Sequence, residues 1–372
     1  MAFDLQRVRD DLPSARANAY LNAGTFGPMP RVAAEAMRAH VELSFERGRI
    51  GHAGIMRWFG LMDRARVAFA QAISSPADEV ALTHCTTDGC NIVVWGLSFT
   101  PGDEVVTTSH EHPGLTAPLD ELARTKGVVV RVAAPTLEAI VAATGPRTKL
   151  VALSHVLWTN GDVLPLAEIV EAVRAKLGDD VFFLVDGAQS VGSIDVSPAA
   201  LGVDAYTVSG QKWLCGPSGT GALWVRPAAL ARLATPWPWY LSKQRGPGGI
   251  AEWTTARRLD ASTIGMTSLA GAIAALEWHH DVWRDGGLAH SARLADRLRA
   301  RLAETPRIRL LPAAVSSQLV SFVVEGESAS SVAQRLEAAQ ILVRSIPDAD
   351  CLRASVGFWN DEADIERLVA AV

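Results

Sequence analysis

From Glu79 onward, short runs of apolar and β-branched residues alternate with longer segments whose apolar positions recur every three or four residues. Short apolar runs are typical of buried strands, and the longer spacing is typical of amphipathic helices. The strand-like runs are EVALT, DEVVTT, VVVRV, KLVALSH, VFFLVD and AYTVSG. This alternation predicts strand–helix units around a mainly parallel sheet flanked by helices, which is an α/β fold.

The helical segments are predicted on both sides of these strands. PLAEIVEAVRAKLG has Pro165 in its first turn and Gly178 as a candidate C-cap, and two helices are predicted earlier, near residues 32–47 and 59–73. TPWPWYLSKQRGPGG is rich in Pro, Gly and Trp and predicts an irregular loop. Long helices and short strands then alternate to the end of the chain. We therefore predict a large domain at residues 16–255 and a smaller α+β domain formed by residues 1–15 and 256–372.

Composition and charge exclude several classes of protein. The chain has 372 residues, of which 49% are hydrophobic and 20% charged, as is typical of a globular protein of more than one domain. A net charge of -5 without long blocks of like charge argues against nucleic acid as a partner. No apolar stretch approaches the roughly 20 residues that span a bilayer, and the first residues lack a secretion signal, so a cytoplasmic location is expected. The four cysteines form no paired motif, so neither a disulfide framework nor a metal site is predicted.

Two charged residues follow strand-like runs, where the carboxyl edge of a parallel sheet binds ligands. Asp186 ends VFFLVD, and Lys212 follows AYTVSG beside the apolar Trp213 and Leu214. Partial burial disfavours the ammonium form, so Lys212 is predicted to be a nucleophile that holds an aldehyde cofactor covalently. Asp186 is predicted to keep a pyridine nitrogen of that cofactor protonated. Either residue alone is more often a cap or a solvated charge, and it is the pair that favours chemistry.

Two further segments predict binding sites for anions. In HCTTDGCNIVVWGL, Thr86 and Thr87 fall at a strand-to-helix junction, where free backbone N–H groups and the helix dipole favour a phosphate. Arg344 and Arg353 lie on ILVRSI and LRASVGF, and a tight turn between these segments would let both guanidinium groups bind substrate carboxylates. One carboxylate anchor and one surface ion pair is the alternative for the two arginines.

Several motifs, in this order, resemble one known family. They are YLNAGTFGPMP, TTDGCNIVVWGL, EHPG, LSHVLWTNGDVLPLAEI, DGAQS, SGQKW and IPDADCLRAS. The chain resembles the fold type I enzymes of the class V aminotransferase group, which use pyridoxal 5'-phosphate (PLP) and include cysteine desulfurases, isopenicillin N epimerase-like proteins and carbon–sulfur lyases. The likeness is greatest to the cystine carbon–sulfur lyases. It implies the PLP-dependent transferase fold, with a smaller α+β domain at the C-terminal end.

The resemblance also implies roles for individual residues. Lys212 matches the lysine that binds PLP, Asp186 the partner of the pyridine nitrogen, and Gln189 the donor to the phenolic oxygen. His112, in EHPG, resembles the residue stacked on the cofactor ring, a role that suits a flat heteroaromatic side chain.

Three more positions bear on the phosphate and the partner subunit. Ser209 matches a further phosphate contact, whereas Gln211 stands where many relatives have His. Thr263 resembles the residue that a partner subunit donates to the phosphate, which implies a homodimer with a shared active site.

The resemblance implies a β-elimination lyase that cleaves L-cystine or a related cysteine S-conjugate to pyruvate, ammonia and a persulfide or thiol. Lys212 is expected to remove the Cα proton of this small amino acid substrate. Cysteine desulfurases carry a reactive cysteine on a mobile loop, and SIPDADC leaves no room for that loop, so Cys351 is expected to pack in the interior. Many relatives have Asn where Leu157 or Trp158 stands, so Trp158 is expected to shape the pocket.

Other functions remain open from the sequence. An aminotransferase or epimerase would use the same Lys212 and Asp186 but return the proton elsewhere. A lyase for cysteine sulfoxide conjugates in thiol biosynthesis is a nearer alternative, with Trp237 and Trp239 lining a larger pocket. A binding protein without catalytic activity would retain the fold but not the cofactor.

Overall fold

The computed structural model describes residues 3–246 and 248–372, without the side chains of Arg245 and Asp348. The helices are α1 Leu5–Asp11, α2 Pro13–Ala17, α3 Arg31–Arg47, α4 His52–Ala72, α5 Thr86–Gly96, α6 Pro113–Lys126, α7 Leu137–Ala143, α8 Leu166–Leu177, α9 Pro198–Leu201, α10 Pro227–Leu230, α11 Met266–Val282, α12 Leu288–Ala303, α13 Ala329–Ala338 and α14 Glu362–Ala371. The strands are β1 Ala19–Tyr20, β2 Val80–Thr83, β3 Glu104–Thr108, β4 Val129–Ala133, β5 Thr148–Ser154, β6 Phe182–Asp186, β7 Ala205–Ser209, β8 Gly221–Val225, β9 Lys243–Gly246, β10 Gly249–Glu252, β11 Ile308–Leu310, β12 Leu319–Val324, β13 Ile341–Leu342, β14 Arg344–Ile346 and β15 Cys351–Ser355. Short turns of 3₁₀-helix cover Ala77–Glu79, Ala256–Leu259 and Pro347–Ala349.

The largest sheet has seven strands, in the order β2-β8-β7-β6-β5-β3-β4. All neighbouring pairs run parallel except those of β8, which is antiparallel to β2 and β7. Alternate residues face opposite sides, as in Leu150, Val151, Ala152 and Leu153 of β5, so that the sheet contributes to two separate cores. The predicted α/β class with a mainly parallel sheet is therefore confirmed.

A second sheet, in the order β11-β12-β15-β14, forms near the C-terminal end of the chain. One face packs Phe322 and Leu352 against helices that include α12. Ser321 and Arg353 are opposite each other on β12 and β15, on the face that does not belong to this core. The four-stranded sheet therefore has one apolar face and one face that carries the polar side chains Ser321 and Arg353. The boundaries of the two predicted domains remain a prediction.

One expectation from the sequence needs correction. Part of the predicted irregular loop, Lys243–Gly246, pairs with Gly249–Glu252 in an antiparallel hairpin, although Pro247 lies outside the described residues. The apolar segment ILVRSI contains two short strands: β13 pairs in parallel with the distant β1, and β14 pairs with the neighbouring β15. All six runs predicted as strands are strands.

Candidate active site

The side chains predicted to act together meet at the carboxyl edge of the large sheet. One cavity is lined by His112, Ser154, Val156, Trp158, Asp186, Ala188, Gln189 and Lys212. Asp186 is the last residue of β6, and Ser154, the last residue of the neighbouring β5, lies opposite Asp186 in the strand register. Lys212 follows β7. Because parallel strands end at the same edge, residues distant in the sequence converge here.

Lys212 differs from every other lysine of the chain. The chain has five lysines, at positions 126, 149, 176, 212 and 243. The other four are exposed, whereas Lys212 is partly buried. Burial lowers the pKa of the Lys212 amine to about 8, although the nearby Asp186 opposes the shift and Arg353 adds to it. A larger fraction of this amine is therefore neutral near pH 7 than in an ordinary lysine, whose pKa is about 10.4.

This pKa predicts the pH dependence of cofactor attachment to the apoenzyme. Only the neutral amine attacks an aldehyde, so the rate of covalent PLP attachment should rise with pH up to about 8 and level off above it. Stopped-flow absorbance at a series of pH values measures the rate. A rate that keeps rising to about pH 10, as for an exposed lysine, would contradict the lowered pKa.

Asp186 is 4% exposed and points one carboxylate oxygen at its own loop. Its Oδ1 accepts hydrogen bonds from the Ala188 N–H, at 2.9 Å, and from the Thr207 hydroxyl, at 3.4 Å. Its Oδ2 makes no hydrogen bond within the described part of the chain. A buried carboxylate with an unused oxygen beside a cavity is suited to a protonated nitrogen of a ligand.

Glu111 is a second buried carboxyl group at this edge, and the sequence did not single it out. Its Oε1 accepts from the Thr108 hydroxyl at 2.7 Å, and its Oε2 accepts from the Ser154 N–H at 2.9 Å and from the Ser154 hydroxyl. Burial raises the pKa of Glu111 to about 7, while the hydrogen bonds from Ser154 and Thr108 act in the opposite direction. These contacts fix the loop before His112 to the end of β5. Its position beside His112 in EHPG was the available signal.

His112 is the N-cap of α6 and has a defined tautomer. Its Nδ1 accepts the Gly114 N–H at 3.0 Å, which leaves the ring proton on Nε2. Burial, followed by the charge of Lys212, lowers the pKa of His112, so the ring is neutral at pH 7. Trp158 packs edge-on against it, with 5.0 Å between ring centroids and 85° between planes. A neutral ring held on two sides is suited to stacking on a flat ligand, as predicted for His112.

The start of α5 supplies free amide groups at the same sheet edge. The helix begins at Thr86, and its N-cap, Cys85, makes no side-chain capping bond. No hydrogen bond within the described chain satisfies the first amides of this helix, so Thr86 and Thr87 present donors to an anion. A methyl group on Gly114 would lie 2.6 Å from Thr87 Oγ1, so only glycine allows α6 to approach α5 this closely.

Gln189 lines the cavity, Ser209 at the end of β7 is not among its lining residues, and both side chains already make hydrogen bonds. The Ser209 hydroxyl donates to Gln211 Oε1 at 2.9 Å, which leaves its oxygen free to accept. The Gln189 Nε2 donates to the Gly24 carbonyl at 2.9 Å, and its Oε1 accepts from Trp213 Nε1 at 3.0 Å. One N–H of Gln189 remains for a ligand, so its predicted donor role is sterically open.

Arg353 is a fully buried cation without a carboxylate partner among the described side chains. It is 2% exposed, its Nη1 donates to the Trp158 carbonyl at 2.9 Å, and its Nε has no hydrogen-bond partner there. Burial, aided by the charge of Arg344, lowers the pKa of Arg353 to about 10, so it stays charged at neutral pH. Burying an unpaired charge is costly, which favours an anionic ligand at this position.

Arg344 faces the same space from the adjacent strand. It lies directly opposite Arg353 in the register of β14 and β15, and both residues therefore point to the same face of the sheet. Unlike Arg353, Arg344 is exposed. The predicted convergence of the two arginines is consistent with this register. A side chain at Gly24 would approach Arg353 Nη2 and the Ser355 hydroxyl to 2.8 Å, so Gly24 keeps the space open.

The two arginines should contribute unequally to substrate binding. Arg353→Met should weaken L-cystine binding by about 2 kcal/mol or more, roughly 30-fold, because a buried charge-assisted contact is lost. Arg344→Met should cost less than about 1 kcal/mol, since exposed ion pairs are weak. Steady-state KM and kcat for both variants test this difference. Equal losses would show that burial does not distinguish the two.

Thr263 does not line the cavity at Lys212. It is exposed, just after the residues that close a separate cavity of about 660 Å³. That cavity is lined by His84, Asp88, Asn91, Ile92, Thr235, Pro236, Trp237, Pro238, Trp239, Leu259, Asp260, Ala261 and Ser262. Lys212 and Asp186 line the other cavity and not this one, so we place the reaction in the cavity of Lys212.

Comparison with known proteins shows the family of the chain. The family model described as aminotransferase class-V matches residues 20–368. The chain belongs to the class-V aminotransferase family. These enzymes depend on PLP, so the predicted cofactor and the prediction of an enzyme are confirmed at the level of the family.

Several individual proteins are similar to this chain over most of its length. The chain is 32% identical to the cystine C–S lyase C-DES, solved in complex with its reaction product cysteine persulfide, with a TM-score of 0.91 and coverage of 96% of this chain and 98% of that one. It is 32% identical to a probable cysteine desulfurase of Pseudomonas aeruginosa, over 83% of this chain and 80% of that protein. It is 29% identical to the isopenicillin N epimerase of Streptomyces clavuligerus, over 95% and 93%. A probable cysteine desulfurase of Mycolicibacterium paratuberculosis is 31% identical over 100% of this chain, which spans 58% of that longer protein.

The residues present fit PLP. The unused Oδ2 of Asp186, the free amides at the start of α5 and the partly buried Lys212 match the pyridine nitrogen, the phosphate and the aldehyde in turn. A second solved form of C-DES has glycine covalently linked to its PLP cofactor, with a TM-score of 0.91, 32% identity and coverage of 97% and 98%.

Among the helices of residues 3–246 and 248–372, none combines the length and the apolar composition that a membrane-spanning segment needs.

Proposed function

We propose that the enzyme is a carbon–sulfur β-lyase that cleaves L-cystine or a related cysteine S-conjugate by β-elimination to pyruvate, ammonia and a persulfide or thiol. The observation that carries this proposal is the buried Arg353, a cation without a carboxylate partner among the described side chains, next to a lysine that can move a proton. The 32% sequence identity to a cystine C–S lyase, over 96% of this chain, supports the proposal.

The chain's own residues account for the required steps. When bound, PLP supplies an electron-withdrawing ring that takes up the electron pair left after loss of the Cα proton. Lys212 accepts that proton on its Nζ, because its lowered pKa leaves the amine partly neutral. Asp186 would keep the ring nitrogen protonated, and Arg353 would bind the substrate carboxylate. The bond from Cβ to sulfur would then break with its electron pair leaving on the sulfur, and water would hydrolyse the remaining three-carbon enamine to pyruvate and ammonia.

The positions of the cysteines argue against a desulfurase that stores sulfur on the protein. Cys351 is fully buried at the start of β15 and is paired with Ile346 across a four-residue connection. Cys90 and Cys215 are also buried, and the partly accessible Cys85 precedes α5, at the end of the site that we assign to phosphate. None of these thiols lies on a mobile loop at the carboxylate-binding end.

Anaerobic incubation of the purified holoenzyme with L-cystine tests the lyase proposal. We expect pyruvate, ammonia and persulfide sulfur in equal amounts, and with L-cysteine neither alanine nor sulfur bound to the protein. Release of alanine with persulfide on a cysteine would identify a desulfurase. Conversion of the cofactor to its amine form, followed by absorbance, would identify an aminotransferase. A protein that binds no PLP would sink the proposal altogether.

We also propose a homodimer with a shared active site. Thr263 is exposed, and two large apolar side chains are also exposed, Phe45 of α3 at 84% and Ile50, between α3 and α4, at 87%. Exposed apolar groups of this size are typical of an interface. Light scattering of the holoenzyme should give the mass of two chains, and Thr263→Ala should weaken PLP retention without changing that mass. A monomer with full PLP occupancy would contradict the shared site.

A further inference from the structure

A row of buried polar side chains crosses the carboxyl edge of the large sheet beside the cavity of Lys212. Thr108, Ser154 and Asp186 are the last residues of β3, β5 and β6, which are neighbours in the sheet. Their exposed fractions are 2%, 4% and 4%. Glu111, in the loop after β3, is also buried. Water therefore has little access to these four residues, which we call the polar row.

Ser154 and Asp186 are next to each other on one face of the sheet. They lie directly opposite in the register of β5 and β6. Ala152 and Leu184, two residues before them, belong to the same hydrophobic core. Because residues two apart in a strand share a face and neighbouring strands are about 4.8 Å apart, the two polar side chains are adjacent. Both residues line the cavity of Lys212, whereas Glu111 is not among its lining residues.

Glu111 connects Thr108 to Ser154. Its carboxyl group accepts hydrogen bonds from the Thr108 hydroxyl at 2.7 Å, from the Ser154 N–H at 2.9 Å and from the Ser154 hydroxyl. A hydroxyl has one proton, and Glu111 accepts that of Ser154, so Ser154 can offer its other neighbours only the lone pairs of its oxygen. The orientation of a group in the wall of the cavity is thus set by a carboxyl group outside it.

Two buried carboxyl groups, those of Glu111 and Asp186, are therefore separated by a single serine. Burial raises the pKa of Glu111 to about 7, its hydrogen bonds act in the opposite direction, and the charge of Asp186 adds to the rise. Two other titratable groups are near Glu111. Burial raises the pKa of Cys90 on α5 and lowers that of the neighbouring His112. Both of these are neutral at pH 7, where the charge of Glu111 changes.

We propose that Glu111 is a positioning residue for the reaction: its carboxylate orients the Ser154 hydroxyl and supplies a second negative charge that helps to keep the ring nitrogen of PLP protonated at Asp186. The inference rests on the proposed contact of Asp186 with that nitrogen. A negative charge stabilises a nearby cation, and more strongly in a buried site than in water. Protonation of Glu111 removes this charge, so the ring withdraws electrons less effectively.

Infrared titration of the apoenzyme tests this charge without turnover. The band of protonated carboxyl groups should contain a component with a midpoint near pH 7 that is missing in Glu111→Gln. Thr108→Val removes a donor that favours the carboxylate, so the midpoint should rise by roughly one pH unit. Binding of PLP should lower it, because a cation at Asp186 favours the ionised form of Glu111. Glu104→Gln is the matched control, since Glu104 is buried at the start of the same strand and pairs with Arg131 at 2.6 Å; it should leave this component unchanged.

Turnover of L-cystine should follow the same charge. Above the midpoint, Glu111→Gln should lower kcat about tenfold while KM changes less than about twofold, because the carboxyl group bonds to Thr108 and Ser154 rather than to the substrate end of the site. In the unaltered holoenzyme, kcat should fall as the pH is lowered through the midpoint, and in Glu111→Gln this fall should be absent. Glu104→Gln should retain the kcat and the pH dependence of the unaltered enzyme.

Either of two results would overturn the inference. One is an infrared titration of Glu111→Gln identical to that of the unaltered apoenzyme, and the other is a kcat of Glu111→Gln with unchanged size and pH dependence. If Glu111→Gln does not fold, Thr108→Val decides, and a midpoint that stays or moves down contradicts the role of Glu111. Failure of the unaltered holoenzyme to form pyruvate from L-cystine would instead reject the lyase function. The shift of the Glu111 midpoint on PLP binding would then still test the role of its charge.

Discussion

Replacement of Lys212 by alanine is expected to lower kcat by at least about 10³-fold with every substrate while the fold is retained. Removal of a group that acts as general base costs typically 10²- to 10⁴-fold, and here the same amine also holds the cofactor. Because the side chain contributes little to the hydrophobic core, the melting temperature of the apoenzyme should change little. Turnover, the absorption of attached PLP and thermal unfolding of the apoprotein measure the three quantities.

Lys243→Ala is the matched control for this variant. Lys243 is exposed, on β9, and outside the cavity that contains Lys212. It should have the turnover and absorption of the unaltered enzyme. If Lys212→Ala kept its activity and its visible absorption, another residue would have to carry both roles and the assignment would fail.

Replacement of Asp186 by asparagine should lower kcat by about 10² to 10³-fold but leave PLP attached. The substitution keeps the shape of the side chain and an oxygen that can accept from the Ala188 N–H. It removes the negative charge of the carboxylate, which we propose to interact with the protonated ring nitrogen of PLP. A loss of this size is typical when one preorganised electrostatic contact is removed from an active site. Retained absorption with reduced kcat would separate this role from that of Lys212.

Asp180→Asn serves as the control for the charge change, because Asp180 is exposed between α8 and β6. It should change kcat by less than about twofold, as surface substitutions usually do. Loss of PLP from Asp186→Asn would indicate a structural role of the carboxylate, and unchanged kcat would contradict its interaction with the ring nitrogen.

Much of the fold was predictable because its signals are local. β-Branched runs identified the strands of the large sheet, and the ends of two of them placed Asp186 and Lys212 at one edge. Likewise, the start of α5 at Thr86 follows from a strand-to-helix junction that is visible in the sequence. In each case the decisive interactions lie within a few residues of the motif.

The remaining features depend on contacts between distant segments. Glu111 acts through Ser154, 43 residues away, and nothing local shows that its carboxyl group is buried. The burial of Arg353 and its contact with the Trp158 carbonyl, 195 residues away, are equally invisible in the sequence. The hairpin of β9 and β10 was missed because its Gly- and Pro-rich composition is that of a loop.

Borohydride treatment of the holoenzyme, followed by peptide mass spectrometry, tests most directly whether Lys212 carries the cofactor. The chain has only five lysines, so each can be followed separately. We predict that the reduced cofactor is found on the peptide that contains Lys212 and on none of the other four lysines. Recovery of the modification at another lysine, with Lys212 unmodified, would contradict the assignment.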